Sequence, residues 1–304
     1  MLALAAACSA VTPEFAFHPM KKILLVLFML GMIRVATAAL QTDIEYGQAG
    51  GESLKLDAYV PEGAGPFPAV ILVHGGGWNA GDKSGGPRKG YMVPMHEALE
   101  KAGFAWFEIN YRLAPKHQYP ANIEDVETAI RWVKANAAKY RLDPRRIVLS
   151  GESAGGHLVQ LAAVRADDST RVAAVVPFYG RCELVSDVQP GAALRPNLAQ
   201  LFGRPTFDET AQRAMREASP LFHIKRGLPP FLLVHGTADA SVPFDQSIQW
   251  QAKMKELGMT CDLMTIKDGV HGMISWDPVA PTYKQDVVAW LNKTLKIEAP
   301  KAAR

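Results

Sequence analysis

The chain has 304 residues, 48% of them hydrophobic and 21% charged, with 25 glycines and 21 prolines. That balance can fill a large core and excludes a collagen, a disordered chain and a polytopic membrane protein. The net charge of +3 sets 33 basic against 30 acidic residues, mixed along the chain, without the basic patch that a nucleic-acid partner requires. The length suits one large α/β domain or two small ones.

Met20-Lys21-Lys22 opens a short basic region, residues 23–33 form an apolar run, and Ala36-Thr37-Ala38 offers an A-x-A cleavage site. Together they have the form of a secretory signal peptide, with cleavage expected near Ala38 and export of residues 39–304 to the periplasm or medium. The apolar run is too short for a stable membrane span. An uncleaved anchor is the competing reading, and Met20 is an alternative start. Cys8 falls in this segment. Cys182 and Cys261 could pair in an oxidising compartment, but spacing alone does not establish a disulfide, and two separate thiols is the favoured reading. No CxxC pair or His/Cys cluster has metal-ligand spacing, so no metal is expected.

From residue 54, Leu54, Leu56, Ala58 and Val60 alternate with Lys55, Asp57 and Tyr59, the period of a half-buried strand. Residues 69–73 are apolar throughout and run into His74-Gly75-Gly76-Gly77, as expected of a strand buried on both faces. Residues 104–111 read as a further strand. Ile123, Val126, Ala129, Ile130, Val133 and Ala137 then recur at helical spacing behind Asn122 as N-cap. A strand at 147–149 precedes Gly151-Glu152-Ser153-Ala154-Gly155 and a helix over 157–164. Strands follow at 172–178 and 231–234, then a helix over 243–257 stopped by Gly258. A last strand at 262–266 and a closing helix with Tyr283, Val287, Trp290, Leu291 and Leu295 on one face complete the pattern. Alternating strands and helices predict a mostly parallel sheet covered on both faces. Between 181 and 228 the alternation breaks among scattered prolines, which predicts a small cap inserted over one edge.

Gly151-Glu152-Ser153-Ala154-Gly155 is a G-x-S-x-G between a strand and a helix, a setting that puts the serine on a strained, exposed turn. A serine hydroxyl is a weak nucleophile and needs a base, itself oriented by an acid. In this setting the chain order is serine, acid, histidine. Of the eight histidines, only His271 fits as base. His18, His74, His96 and His117 precede the serine, His157 lies on the helix behind it, His223 lies in the cap, and His235 precedes the candidate acid. Asp239, in the loop after the 231–234 strand, is the candidate acid. Asp268 competes, but three residues from the histidine it is better placed to bond the local backbone. The amides of Gly76, Gly77 and Ala154 are candidates for an oxyanion hole. No Walker lysine-serine pair follows the glycines, which argues against nucleotide chemistry. Trp78 has two readings, a wall of the acyl pocket or loop packing.

With these residues placed, residues 45–297 resemble an α/β-hydrolase esterase. His74-Gly75-Gly76-Gly77-Trp78, Asn110-Tyr111-Arg112-Leu113-Ala114-Pro115 and Gly151-Glu152-Ser153-Ala154-Gly155-Gly156 are similar to the feruloyl/acetylxylan-esterase-like and hormone-sensitive-lipase-like branches. His235-Gly236-Thr237-Ala238-Asp239 with Val242-Pro243 is closer to the first. The resemblance implies hydrolysis of small or carbohydrate-linked carboxylic esters without a metal or organic cofactor. Glu152, where aspartate is commoner, and Arg112 are expected to be structural supports. An amidase, arylformamidase or exopeptidase on the same scaffold is the alternative activity, and a non-catalytic binding protein the alternative class.

Overall fold

The structure is a computed structural model that describes residues 39–85 and 90–297. The expected signal segment, its cleavage site and Cys8 lie outside these residues. In chain order the strands are β1 (Ala39–Ala49), β2 (Glu52–Val60), β3 (Phe67–Val73), β4 (Ala105–Ile109), β5 (Leu142–Glu152), β6 (Ala174–Phe178), β7 (Phe231–Gly236) and β8 (Cys261–Ile266). The helices are α1 (Val93–Lys101), α2 (Ala121–Ala135), α3 (Ala154–Arg165), α4 (Pro196–Phe202), α5 (Glu209–Glu217), α6 (Asp245–Glu256) and α7 (Tyr283–Thr294).

The strands form one sheet in the order β1-β2-β4-β3-β5-β6-β7-β8. β1 and β2, and β2 and β4, pair antiparallel, while every pair from β4 to β8 is parallel. The mostly parallel sheet is the one that strand–helix alternation predicts, and its order is the α/β-hydrolase arrangement that the resemblance implies.

Period-two alternation sorts the strand side chains between two cores. Ala69, Ile71 and Val73 of β3, with Phe107 of β4 and Leu149 of β5, face a cluster that includes Ile123 and Val126 of α2, Leu158 of α3 and Trp250 of α6. Val70, Leu72, Trp106 and Val148 face the other side, against Met95 and Leu99 of α1 and Val287 and Leu291 of α7. Side chains of this size stabilise by about 1.5–3 kcal/mol each when fully buried. Both faces of the central strands are therefore apolar, and only their ends can carry polar chemistry.

Three local features depart from the sequence reading. β1 was not expected. Register shifts between Gln41 and Ile44 and between Glu45 and Gly47 break its period of two, and its position at the sheet edge leaves Leu40 61% exposed. α1 was also unexpected, because it anchors through only two buried residues, Met95 and Leu99. Asn122 is not the N-cap of α2. Helical hydrogen bonding already begins at the Pro120 carbonyl, which accepts from Glu124 N at 3.2 Å. Asn122 lies buried inside the first turn, where its Oδ1 accepts from Ile123 N.

Gly258 adopts φ +72° just past the end of α6, as a helix-stopping glycine should. Between β6 and β7 the chain forms α4, α5 and a short 3-10 turn (Pro220–His223). Leu198, Leu201, Phe207 and Met215 of this insertion join the core cluster beneath the sheet. The Asp208 side chain caps α5 by accepting from Ala211 N at 2.7 Å.

Candidate active site

β3 leads to β4 on one side of the sheet, and β5 then returns to the other side of β3. The carboxyl ends of β3 and β5 therefore flank a topological switch point, where outgoing loops diverge and leave a crevice. The two glycine-rich motifs sit at these two strand ends.

Ser153 joins β5 directly to α3 with φ 52° and ψ −114°. A non-glycine residue at positive φ costs about 1–3 kcal/mol, and the surrounding structure must hold it there. Ser153 N donates to the Phe178 carbonyl at 3.0 Å. Gly155 lets the turn sit against β3, since a Cβ there would lie 2.1 Å from the Val73 carbonyl oxygen. Ala154 opens α3, so its N–H is one of the amides a helix leaves without an intrahelical acceptor.

The loop after β3 is shaped from beneath. Tyr111 Oη donates to the carbonyls of His74 and Gly75, each at 3.1 Å, and its ring stacks on His74 at 4.4 Å. His74 is buried, which lowers its pKa to about 4 and keeps it neutral, with Nδ1 donating to the Gly75 carbonyl at 2.8 Å. Gly76 takes φ +96°, and a Cβ would lie 2.1 Å from the Ala80 carbonyl oxygen. Only glycine fits this turn.

His271, in the loop after β8, brings Nε2 to 3.0 Å from Ser153 Oγ. Its Nδ1 donates to Asp239 Oδ2 at 2.7 Å, which leaves Nε2 free to accept the serine proton. Asp239 Oδ1 accepts from Ser241 N at 2.8 Å and Val242 N at 2.9 Å. Burial disfavours charge on Asp239, but hydrogen bonds from His235, His271 and the Val242 amide outweigh it and hold the carboxyl well below the usual carboxylate range. Asp268 takes no part. It is exposed, and its amide donates to Thr237 Oγ1 at 2.9 Å.

Sequence reasoning set His235 aside as a base, but its Nε2 lies 3.4 Å from Asp239 Oδ2 and 3.0 Å from the Val242 carbonyl. Ser247 Oγ donates to its Nδ1 at 2.7 Å, which fixes the tautomer that supports Asp239. The HGTAD spacing, four residues from imidazole to carboxylate, was the available signal. Tyr179 was also missed. Its ring packs edge-on against His271 with centroids 4.8 Å apart.

Trp78 packs within the loop and also faces a cavity. Its indole is almost wholly buried and donates from Nε1 to His157 Nδ1 at 3.1 Å, yet it also lines a cavity beside Ser153. His157 faces away from the serine and donates from Nε2 to the Ala218 carbonyl at 2.7 Å, tying the inserted segment to the loop after β3. Its burial lowers its pKa to about 4.

Arg112 clamps Asp125 with Nε at 2.9 Å and Nη2 at 2.8 Å, away from the serine. Glu152 is buried next to Ser153. Desolvation raises its pKa to about 7, against the opposing pull of His271, the Gly75 amide and the Tyr179 hydroxyl. Its Oε1 has no hydrogen-bond partner among the described residues.

Two cavities open beside Ser153 and His271, of about 350 and 320 Å³. Trp78, Arg181, Arg195, Asn197 and Ser241 line the first, with Ala154 and Gly77 at its base. Gly76, Tyr91, Glu152 and Ile274 line the second. Arg181, Arg195 and Asn197 come from the irregular insertion, whose pattern carried no signal for them. No group of residues suited to hold a metal ion is found among the described residues, and no helix there is long and apolar enough to cross a membrane.

A serine on a strand-to-helix turn at the switch point, bonded in series to an imidazole and a carboxylate, defines an α/β-hydrolase fold carrying a serine–histidine–aspartate site. Residues 56–254 match the profile of the BD-FAE family, and the chain belongs to that family. It is similar to the esterase LipC of Mycobacterium tuberculosis, 34% identical over 204 residues, which are 62% of this chain and 49% of that protein. Its fold is similar to a truncated carbohydrate esterase from gut microbiota, with a TM-score of 0.73 and 26% identity over 86% of this chain and 98% of that one. It is also similar to the apo form of Thermogutta terrifontis esterase 2, with a TM-score of 0.71 and 27% identity over 88% and 98% of the two chains. The chain spans about half the length of the curated relatives first matched.

Proposed function

We propose that the protein is a serine carboxylic-ester hydrolase that works through an acyl-enzyme on small or carbohydrate-linked esters with acetyl, feruloyl or short acyl groups. The observation that carries the reading is the unbroken hydrogen-bond series from Ser153 through His271 to Asp239. In this reading His271 takes the Ser153 proton while Asp239 stabilises the imidazolium. Ser153 Oγ attacks the ester carbonyl, and the amides of Gly76, Gly77 and Ala154 receive the developing oxyanion, a contribution of about 3 kcal/mol per donor. The C–O bond then breaks, and the alcohol leaves with the proton from His271. Water repeats the sequence on the acyl-enzyme and frees Ser153.

The esterase names of the similar proteins support ester over amide substrates. The carbohydrate-linked part of the reading has support from the carbohydrate esterase of similar fold. Trp78 is assigned to substrate binding and residues 181–228 to a cap that shapes the cavity. Export after cleavage near Ala38 belongs to the same proposal, and the N-terminal sequence of the mature protein tests it.

The central test is Ser153→Ala. Turnover of p-nitrophenyl acetate should fall by about 10⁴-fold or more, and fluorophosphonate labelling should disappear, with the circular dichroism spectrum unchanged. Near-full activity in the folded variant refutes the assignment.

A further inference from the structure

We infer that the cavity walled by the 181–228 segment receives an anionic arm of the ester substrate, and that Arg195 selects it. The inference rests on the ester-hydrolase reading and deepens it by naming a substrate class.

Ser153 and His271 lie between two cavities whose linings differ in charged residues. Among the described residues, the first contains two arginines and no aspartate or glutamate in its lining. The second contains Glu152 and, among the described residues, no lysine or arginine. The carboxylates beside the first cavity are engaged: Asp187 pairs with Arg181, and Asp239 holds Oδ2 on His271 and Oδ1 on the Ser241 and Val242 amides.

The two arginines differ in what they have left to offer. Arg181 is buried and committed, with Nη1 donating to Asp187 Oδ2 at 2.9 Å and Nη2 to the Ser241 carbonyl at 3.4 Å. Arg195 is exposed and makes no ion pair among the described residues. Its backbone is fixed on both sides. Leu194 N donates to the Pro205 carbonyl, and the Arg195 carbonyl accepts from Ala199 N, each at 2.9 Å. An uncompensated positive charge thus sits on the cavity wall, held there by the fold.

A carboxylate on one arm of the ester meets this charge at the cavity wall. The guanidinium supplies charge-assisted donors, and Asn197 and Ser241 supply neutral ones. A cationic arm is repelled.

Two matched ester pairs test the inference at pH 7.5, where the free carboxylates are ionised. p-Nitrophenyl hydrogen glutarate against p-nitrophenyl valerate places the charge on the acyl arm. Acetoxyacetate against acetoxyacetamide places it on the alcohol arm. In at least one pair kcat/KM should favour the anionic member, and Arg195→Glu should cut that preference about tenfold, mainly through KM. Arg195→Lys should retain part of the preference. Lys101→Glu makes the same change in net charge at an exposed site on α1 and should leave the ratio as in the wild type. If Arg195→Glu leaves the ratio unchanged in both pairs while neutral esters are hydrolysed and fluorophosphonate labels Ser153, the inference falls and the esterase reading stands. If the wild-type protein neither turns over a neutral ester nor labels, both fall.

Discussion

Glu152 should make the stability of this protein fall as pH rises through neutrality. Its carboxyl is enclosed by the elbow and the loop after β3, so ionisation there means a charge out of water, and its pKa rises to about 7 from an ordinary 4.5. The folded state therefore holds a proton that the unfolded chain has released. Stability from this group is fully present below pH 4.5 and is lost as pH climbs through 7. At about 1.4 kcal/mol per pH unit, the gap between 4.5 and 7 corresponds to about 3 kcal/mol, most of it lost between pH 5 and 8. Glu152→Gln keeps the shape but cannot ionise. Urea unfolding followed by tryptophan fluorescence at pH 5, 6, 7 and 8 should show the wild-type curve falling relative to the variant by about that amount. Other titrating groups, such as Glu108, whose burial raises its pKa to about 6, cancel in the comparison. Parallel stability curves for wild type and Glu152→Gln would refute the reasoning, because they would mean that the buried carboxyl does not titrate in this window.

Three further outcomes follow from the geometry. Asp239→Asn removes the charge that stabilises the imidazolium and disturbs the tautomer of His271, so kcat should drop by about 10³–10⁴-fold with little loss of substrate binding, as read by steady-state kinetics. Gly155→Ala places a methyl group against the Val73 carbonyl and should destabilise by about 1–3 kcal/mol or more, visible as a lower thermal midpoint. Cys182 and Cys261 are buried free thiols, and burial pushes both pKa values up, that of Cys261 to about 12. Neither should react with iodoacetamide at pH 8 until urea is added, and mass spectrometry of the native protein checks this.

Much of the site was legible in the chain because strand ends are marked by composition. Short uninterrupted apolar runs closed by glycines, such as 69–73, fit strands buried on both faces, so the glycines and polar groups that end them fall at the sheet's carboxyl edge. That punctuation, together with chain order, was enough to select Ser153, Asp239 and His271 from residues 118 positions apart. Local pattern failed where the period is broken or the buried stripe is short, at the bulged edge strand β1 and the weakly anchored α1. Only the tertiary structure placed His235 behind Asp239, enclosed Glu152 beside the serine, and set Arg195 on a cavity wall. These depend on which distant backbones exclude water around a side chain. That is decided by packing between elements, and no short window of sequence contains it.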